Sequence, residues 1–395
     1  MTQPSMRRYS DVFFHSGLFL LFACLLVACG SGGSAVSATT SNKTTLQATS
    51  SPSGVQLGVQ PCPSIIQSPT YWAPLVNVQP NVSKVDSVTC ANLIGINELQ
   101  ALVTVRTSGA AADLDLHVFT HITQPQPSEI FKLQSLYKGD ARISAYNTLM
   151  TGEVDLNSSL NKGITANANL QQDLFREFKW SDGAGTFIPV SFPGLYPDLT
   201  RFQAESDQQK VNKGQDAWKL NAAKTASNLT VDLLKWPAAD NATLVSGGGK
   251  SDGDAVVNVK SPATGAGSIQ IKLSRLEGNT NGGIWIATDV TGLGLDLSTP
   301  IVRDRISSPV KVSGKGKAFE AVIGKVSVLD HTYTDIGNAQ AKGAAGMGDT
   351  TFSTNVSYTS TFQNGAQDGI VVLYSYSNVD GSIASAFMRK VLISA

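Results

Sequence analysis

The chain has 395 residues, of which 42% are apolar and only 15% charged, and its formal net charge is zero. This length exceeds that of one ordinary domain, so we expect two or three domains with packed cores. Proteins that bind nucleic acid carry a basic face that supplies much of their affinity. The balanced charge therefore argues against nucleic acid as a partner.

The N-terminus has the pattern of a bacterial lipoprotein leader. Two arginines at 7–8 form a basic region, and the apolar run at 17–28 is too short to cross a bilayer comfortably. The run leads into LVAC at 26–29, which resembles a lipobox. We predict a lipoprotein signal peptide at 1–28, a lipid on Cys29, and an extracytoplasmic protein anchored to the bacterial cell membrane. An uncleaved signal anchor or a plain secretory peptide is the alternative.

The segment after the lipobox is rich in Ser, Thr and Gly and has no apolar periodicity. Such a composition cannot bury enough apolar surface to offset the entropy that is lost when a chain becomes ordered. We therefore predict a flexible tether over 29–62, which would hold the folded part away from the membrane.

Two cysteines, Cys62 and Cys90, lie beyond the leader. Outside the cytoplasm, a pair of cysteines in one domain indicates a disulfide bond. Closing a loop of this length would stabilise the fold by about 3 kcal/mol. Two buried free thiols are the alternative, because the sequence alone supplies no geometry.

The region at 63–193, the first block, has the pattern of a mainly β domain. Its β-branched and apolar residues form strand-like runs, at 99–107, 112–120, 129–137 and 149–157. Leu114, Leu116 and Val118 alternate with polar residues, which indicates a strand with one face in water. A turn at 181–183 separates two aromatic stretches and predicts a hairpin.

The region at 194–292, the middle block, has the pattern of an α+β domain. A first helix is expected to begin at Pro197-Asp198, because Asp is a good N-cap. A longer helix is expected over 221–236, where apolar residues share one face and a proline follows. Strand-like runs come next, at 242–247, 254–261, 267–276 and 282–290. We predict an antiparallel meander with the longer helix packed on one face.

The region at 298–395, the third block, has the pattern of a β domain throughout. Its strand-like runs are separated by turn residues, and they lie at 310–316, 319–330, 332–343, 350–361, 369–378 and 385–394. About 100 residues with this many short strands is typical of an immunoglobulin-like β-sandwich.

No stretch of the sequence satisfies a motif for catalysis. The GKGK at 314–317 lacks the other residues of a phosphate loop, and we interpret it as a strand end followed by a turn. Ser308 and Lys311 have the spacing of serine acyl-enzymes. However, Pro309 disfavours the helical turn that would bring these two side chains together.

The sequence also offers no convincing metal site. Beyond the leader it has three histidines, His117, His121 and His331. The first two are four residues apart, which suits zinc only on a helix, whereas their strand pattern places them on a solvent face. The acidic stretch at 251–254 is interpreted as a hydrated turn. We predict no catalytic residues, no cofactor and no metal, and therefore no enzyme.

The third block resembles the Gmad2 family, the immunoglobulin-like domain associated with bacterial spore germination proteins. The resemblance is carried by SPV at 308–310, VSG at 312–314, KAFE at 317–320 and DGS at 380–382. The Gly- and Ala-rich stretch at 338–348 departs from the family pattern. The resemblance implies an extracytoplasmic, non-enzymatic module that is often found on lipoproteins, and it implies no catalytic residues.

These features together predict a surface-anchored bacterial lipoprotein that serves as a non-enzymatic binding or structural module of the cell envelope. The resemblance implies a link to sporulation or germination. The expected partners are the membrane, through the lipid anchor, and an envelope protein or wall polymer. One alternative is a solute-binding lipoprotein of a transporter, although such proteins usually have two α/β lobes. Another is a secreted hydrolase with an active site in the first or middle block.

Overall fold

The computed structural model describes residues 54–239, 241–277, 282–344 and 346–395. The predicted signal peptide and Cys29 lie outside the described residues. Strands dominate the described part, so the prediction of a mainly β, multi-domain chain is confirmed. None of the described helices combines the length and the apolar character needed to span a bilayer.

Two four-stranded antiparallel sheets form the first block. Within each sheet, strands that follow one another along the chain are hydrogen-bonded neighbours. The first sheet consists of β1 (Ser83–Ala91), β2 (Gln100–Thr107), β3 (Leu114–Thr120) and β4 (Ser128–Leu136). The second sheet consists of β5 (Asp140–Ile143), β6 (Leu149–Glu153), β7 (Leu174–Ser181) and β8 (Thr186–Val190).

The central strands of the first sheet, β2 and β3, are buried on both faces. One face shares a core with the second sheet, and Leu116 of β3 lies in that core. The other face is covered by α1 (Pro69–Trp72), whose Trp72 ring lies 5.0 Å from the ring of Phe119. The prediction that β3 has one face in water is therefore wrong, and His117, which was expected in water, is only 7% exposed.

Two helices belong to the middle block, α2 (Arg201–Asn212) and α3 (Ala222–Leu234). α2 begins three residues later than Asp198, because Thr200 is its N-cap. The Thr200 hydroxyl accepts a hydrogen bond from the Gln203 N–H at 3.3 Å, and the Gln203 side chain accepts one from the Thr200 N–H at 3.2 Å. This reciprocal capping satisfies two backbone donors that a helix start leaves free.

α3 packs its apolar face on an antiparallel meander, as expected. The meander consists of β9 (Ala242–Gly247), β10 (Asp254–Lys260), β11 (Ser268–Ser274) and β12 (Ile286–Gly292). Leu229 and Leu233 of the helix share a core with Val257 and Ile271 of the sheet. The apolar positions three or four residues apart in the helix therefore meet the alternate positions of the strands.

The third block folds as a two-sheet sandwich. Its strands are β13 (Asp296–Thr299), β14 (Arg305–Ile306), β15 (Val310–Ala318), β16 (Val322–Leu329), β17 (Asp335–Lys342), β18 (Gly348–Val356), β19 (Ala366–Tyr376) and β20 (Ile383–Ser394). One sheet contains β17, β16, β19 and β20 in that order, and the other contains β13, β15 and β18. Val312, Val326 and Phe352 lie in the core between them.

The larger of these sheets crosses the predicted boundary between the middle and third blocks. β12 pairs with β20 through Val290 and Met388. The result is a nine-stranded sheet in the order β17-β16-β19-β20-β12-β11-β10-β9, with β14 paired to β20. The two blocks therefore share one sheet, whereas the sequence pattern suggested two separate domains.

The GKGK stretch lies inside β15, so its interpretation as a strand end and turn is wrong. Its two lysines are exposed, and its two glycines face the core of the sandwich. A Cβ on Gly314 would lie only 2.1 Å from the Asp296 carbonyl oxygen. The glycine therefore permits a close approach between neighbouring strands that any side chain would prevent.

Candidate functional site

The N-terminal end of the described chain is tied to the first sheet. Cys62 and Cys90 form a disulfide bond, with their Cα atoms 5.3 Å apart. The Gln60 N–H donates to the Cys90 carbonyl at 2.8 Å, and the Gly58 N–H donates to the Asn147 side chain at 2.7 Å. A backbone held in this way belongs to the folded part, so the predicted tether does not extend as far as residue 62.

The three histidines beyond the leader occupy separate environments. His117 Nδ1 lies 2.5 Å from Glu129 Oε1, and His121 is exposed. His331 is buried, with its Nε2 at 3.5 Å from Asp173 Oδ2. Among the described residues, no group of three or more His, Cys, Asp or Glu side chains is arranged to hold a metal ion.

Two other short motifs, the Ser308 and Lys311 spacing and the acidic stretch at 251–254, make hydrogen bonds that stabilise local structure. Ser308 Oγ accepts a hydrogen bond from the Tyr358 N–H at 2.9 Å, while Lys311 is exposed on β15. In the acidic stretch at 251–254, Asp252 Oδ2 accepts from the Gly249 N–H at 2.7 Å. The first contact ties two segments of the sandwich together, and the second closes a turn.

A cleft of about 470 Å³ opens between the first and third blocks, and we call it the interblock cleft. Its lining comes from the end of β4, from 153–157, from β7, and from the loop at 361–365 that precedes β19. The Asn157 Nδ2–H donates to the Thr361 carbonyl at 3.2 Å. Leu174 of β7 also packs into the core of the sandwich. These contacts hold the two sides of the cleft together.

The lining of the interblock cleft is largely apolar. Leu136, Leu174, Phe178 and Phe362 are each at most 6% exposed. Leu156, which also lines the cleft, is 48% exposed. Residues 174, 176 and 178 occupy alternate positions on β7, so their side chains lie on the same face of the strand. The cleft therefore presents apolar surface beside three charged side chains, Glu153, Asp155 and Arg176.

Among these charged side chains, Arg176 forms an ion pair with Glu153 on the neighbouring strand β6. Arg176 Nη2 also donates to the Asn364 carbonyl at 2.8 Å, so the guanidinium links β7 to the loop at 361–365. Burial raises the pKa of Glu153 above its ordinary value, and the attraction of Arg176 only partly offsets this effect.

Three polar atoms of the lining have no hydrogen-bond partner within the part of the chain that the structure describes. They are Asp155 Oδ2, Arg176 Nε and Thr361 Oγ1. Asp155 is 6% exposed, and its other carboxylate oxygen accepts from the Asn157 N–H at 2.9 Å. Leaving a buried polar group unpaired costs about 1–3 kcal/mol. A largely apolar cavity with a few accessible polar groups is the usual form of a small-molecule site, and these three buried atoms are not among the accessible groups of the cleft.

The loop at 361–365 falls in a region with a known family. Residues 295–382 match the Gmad2 family model. The family is the immunoglobulin-like domain of bacterial spore germination, so the resemblance expected from the sequence is confirmed for this region. No curated protein matches the chain.

The Gmad2 region contacts the first block on both sides of the loop at 361–365. On one side, Ser159 Oγ lies 3.0 Å from Thr332 Oγ1, close to the buried pair of His331 and Asp173. On the other side, the Ser191 hydroxyl donates to Asp368 Oδ1 at 2.5 Å. The Gmad2 region therefore supplies one wall of a cleft whose other walls belong to the first block.

The Gmad2 match ends before β20, the strand that joins the sandwich to the meander. A buried lysine on this strand, Lys390, donates to the carbonyls of Gly194 and Leu199 at 2.8 and 2.6 Å. The strand after the match thus holds the start of the middle block against the sheet.

Sequence reasoning identified none of the lining residues as functional. The run at 149–157 was interpreted only as a strand, although opposite charges at Glu153 and Arg176 within apolar strands are a signal of a buried pair. Asn157 and Thr361, which meet at the cleft, are 204 residues apart along the chain. No local pattern could have brought these two segments together.

Proposed function

We propose that this protein is a lipid-anchored, extracytoplasmic binding module of the bacterial cell envelope and that it catalyses no reaction. The Gmad2 match at 295–382 carries the proposal, because that family is the immunoglobulin-like domain of bacterial spore germination. The lipobox that ends at Cys29 supports a lipid anchor. The bond between Cys62 and Cys90 supports an oxidising compartment, where disulfides persist.

The interblock cleft supports binding as the activity of this module. Its ion pair, Arg176 with Glu153, is engaged within the protein, and its walls are mostly apolar. Such a site holds a ligand by burial and a few hydrogen bonds. The membrane is one partner, through the lipid, and an envelope protein or wall polymer is the other. The Gmad2 match supports a role for this binding module in sporulation or germination.

A solute-binding lipoprotein is the second candidate, and the size of the cleft favours it. At about 470 Å³ the cleft lies within the range of small-molecule pockets. Transporter-linked proteins of this kind usually have two α/β lobes, whereas the described part of this chain is mainly β. The mainly β fold is the reason that we rank this candidate second.

Metabolic labelling with palmitate tests the anchor. We expect the wild-type protein to carry label and to sediment with membranes, and the Cys29→Ser variant to lose both properties. Label that persists in the variant, or a wild-type protein without label, would overturn the proposed anchor.

Recovery of partners tests the binding role. The full-length protein is cross-linked on intact cells and purified with whatever is attached to it. We expect one envelope protein or wall polymer to be recovered reproducibly. Recovery of a small solute together with a membrane permease would instead support the second candidate.

A further inference from the structure

A second concave surface, which we call the sandwich groove, lies on the Gmad2 region. It consists of two adjoining depressions of about 310 and 230 Å³, and the linings of both include Gly324 and Tyr376. Lys325 on β16 and Gln340 on β17 are paired neighbours that line the larger depression. Val326, the next residue along β16, lies in the core of the sandwich. Lys325 and Gln340 therefore lie on the outer face of the sheet.

Two aromatic side chains are exposed in the sandwich groove. Tyr376 is 38% exposed and lines both depressions, and Phe319 is 42% exposed and lines the smaller one. Partial burial raises the pKa of the Tyr376 phenol above its ordinary value, so its hydroxyl stays protonated and can donate a hydrogen bond. Covering such rings with apolar atoms of a ligand is favourable in proportion to the area removed from water.

A strained turn holds Phe319 at the end of the groove. The turn joins β15 to β16, and the backbones of Phe319 and Val322 exchange hydrogen bonds of 2.9 and 3.0 Å across it. Between them, Glu320 and Ala321 have φ angles of 50° and 69°, in the left-handed region that such turns usually fill with Asn or Gly. The Ala321 N–H donates to the Gly346 carbonyl at 3.2 Å. Backbone strain that the surroundings impose in this way is concentrated at ligand-binding sites.

The charges of the groove suit a neutral ligand. In the described part of the chain, the charged side chains of its lining are Lys325 and Glu320. Lys325 Nζ lies 3.1 Å from the Asp335 carboxylate, so this lysine already has a counter-ion. A polyanion would meet the Glu320 carboxylate and a lysine that is already neutralised. Electrostatic complementarity therefore disfavours a phosphate polymer here.

Amide side chains flank the two rings. Gln340 lines the larger depression and Asn378, which follows β19, lines the smaller one, and both are exposed. Each amide offers two N–H donors and a carbonyl acceptor. Such groups match a ligand whose hydroxyls both donate and accept hydrogen bonds.

We propose that the sandwich groove binds a chain of neutral sugar rings. The apolar face of one ring packs on Tyr376, and that of a neighbouring ring packs on Phe319. Hydroxyls at the edges of the rings exchange hydrogen bonds with Gln340 and Asn378. A sugar ring carries C–H groups on its faces and hydroxyls around its edge, which is the combination that aromatic platforms flanked by amides recognise. The inference rests on the proposed function as a binding module and selects a wall polysaccharide as its partner.

Calorimetric titration of the full-length protein in mild detergent tests the inference. The probes are chitotetraose and cellotetraose, which are linear and uncharged, and polyphosphate is the charged comparison. We expect at least one of the two sugars to bind at a single site and polyphosphate not to compete with it. Failure of both sugars to bind, or displacement of the bound sugar by polyphosphate, would overturn the proposal.

Substitutions in the groove make the test specific. Tyr376→Ala and Phe319→Ala should each weaken sugar binding about fivefold or more, because an aromatic platform is lost. Gln340→Ala should weaken it about threefold, through the loss of a hydrogen bond. All three side chains are exposed, so the fold should tolerate these changes. Unchanged affinity in both aromatic variants would contradict the proposed contacts.

Ile188 offers a matched control. It is 40% exposed, as Tyr376 and Phe319 are to a similar degree, but it lies on β8 of the first block and outside the groove. Ile188→Ala should leave sugar binding unchanged. Equal weakening in Ile188→Ala and Tyr376→Ala would assign the effect to general destabilisation and overturn the inference.

The proposals can fail separately. If neither sugar binds, but cross-linking on intact cells recovers an envelope protein that Tyr376→Ala loses, the groove is a protein interface. The binding module then stands and the sugar site is wrong. If a sugar binds but palmitate labelling is absent, the groove stands and the lipid anchor is wrong.

Discussion

The Lys390 ammonium lies 3.4 Å from the Asp368 carboxylate on the adjacent strand, and both side chains are almost completely buried. Burial raises the pKa of Asp368 to about 6 and lowers the pKa of Lys390 to about 8. Their mutual attraction opposes both shifts without cancelling them. Asp368 accepts a hydrogen bond from Ser191 of the first block, and Lys390 donates to the carbonyls of Gly194 and Leu199 of the middle block. The pair therefore lies where these two blocks meet the Gmad2 region.

The direction of each pKa shift determines how the stability of the folded protein depends on pH. A raised pKa of Asp368 means that the folded state binds this proton more tightly than the unfolded state. Its contribution to stability is therefore present at low pH and is lost as the pH rises from 3.8 through about 6. For Lys390, whose pKa is lowered, the contribution is present above 10.5 and is lost as the pH falls through about 8.

Lys390→Met should destabilise the protein more at pH 7.5 than at pH 5. Removal of one partner leaves a buried, uncompensated charge, which costs about 3–5 kcal/mol when that charge is present. At pH 5 the Asp368 carboxyl is protonated, so only the hydrogen bonds to Gly194 and Leu199 are lost. Urea unfolding of the full-length protein at both pH values measures the difference. Lys311→Met, at an exposed lysine, is the control, and an equal loss at both pH values for Lys390→Met would contradict this account.

Gly314→Ala should destabilise the sandwich by roughly 2 kcal/mol or more, because overpacking forces neighbouring backbones apart. The added methyl group would lie 2.1 Å from the Asp296 carbonyl oxygen. Lys315→Ala, one residue away on the exposed face of β15, should change the free energy of unfolding by less than about 0.5 kcal/mol. Thermal unfolding compares the two variants. A larger loss in the lysine variant would give the GKGK stretch a role other than strand packing.

Reduction of the bond between Cys62 and Cys90 should lower the free energy of unfolding by about 3 kcal/mol, since it frees a loop in the unfolded chain. Guanidinium unfolding with and without reductant measures this loss. The double variant Cys62→Ala, Cys90→Ala should no longer respond to reductant. A wild-type protein that is equally stable under both conditions would count against a bond that supports the fold.

Thr200→Ala should destabilise the protein by about 1 kcal/mol, the usual cost of removing an N-cap. The Gln203 N–H then loses its hydroxyl acceptor at the start of α2. Gln209, an exposed residue in the middle of the same helix, is not a cap, and Gln209→Ala provides a comparison without the capping effect. Denaturation midpoints that are unchanged in Thr200→Ala would mean that another group begins the helix.

The elements with strong local periodicity could be predicted from the sequence. The meander strands, α3 and most strands of the sandwich lie within a few residues of the expected ranges, because apolar alternation and turn residues are local signals. β1 was not predicted, since its run SKVDSVTCA mixes charged and polar residues with the apolar ones. Its burial comes from the segment around Trp72, which packs on the first sheet.

Long-range pairing could not be predicted. Val290 pairs with Met388 across nearly a hundred residues, and nothing in either strand specifies that partner. The interblock cleft depends on the same kind of contact, between Asn157 and Thr361. Such contacts are selected by the packing of whole sheets, so the sequence indicated the Gmad2 region but not the site beside it.

Chemical labelling of a cysteine placed in the interblock cleft tests the central claim most directly. On our account, Cys29 carries lipid and Cys62 and Cys90 are bonded to each other, so the wild-type protein offers no free thiol outside the membrane. Leu156, half exposed in the cleft lining, is the position for a new thiol. A membrane-impermeant maleimide added to protoplasts should label Leu156→Cys without lysis and should leave the wild-type protein unlabelled. Labelling that requires lysis, or equal labelling of the wild-type protein, would contradict an anchored, extracytoplasmic binding module.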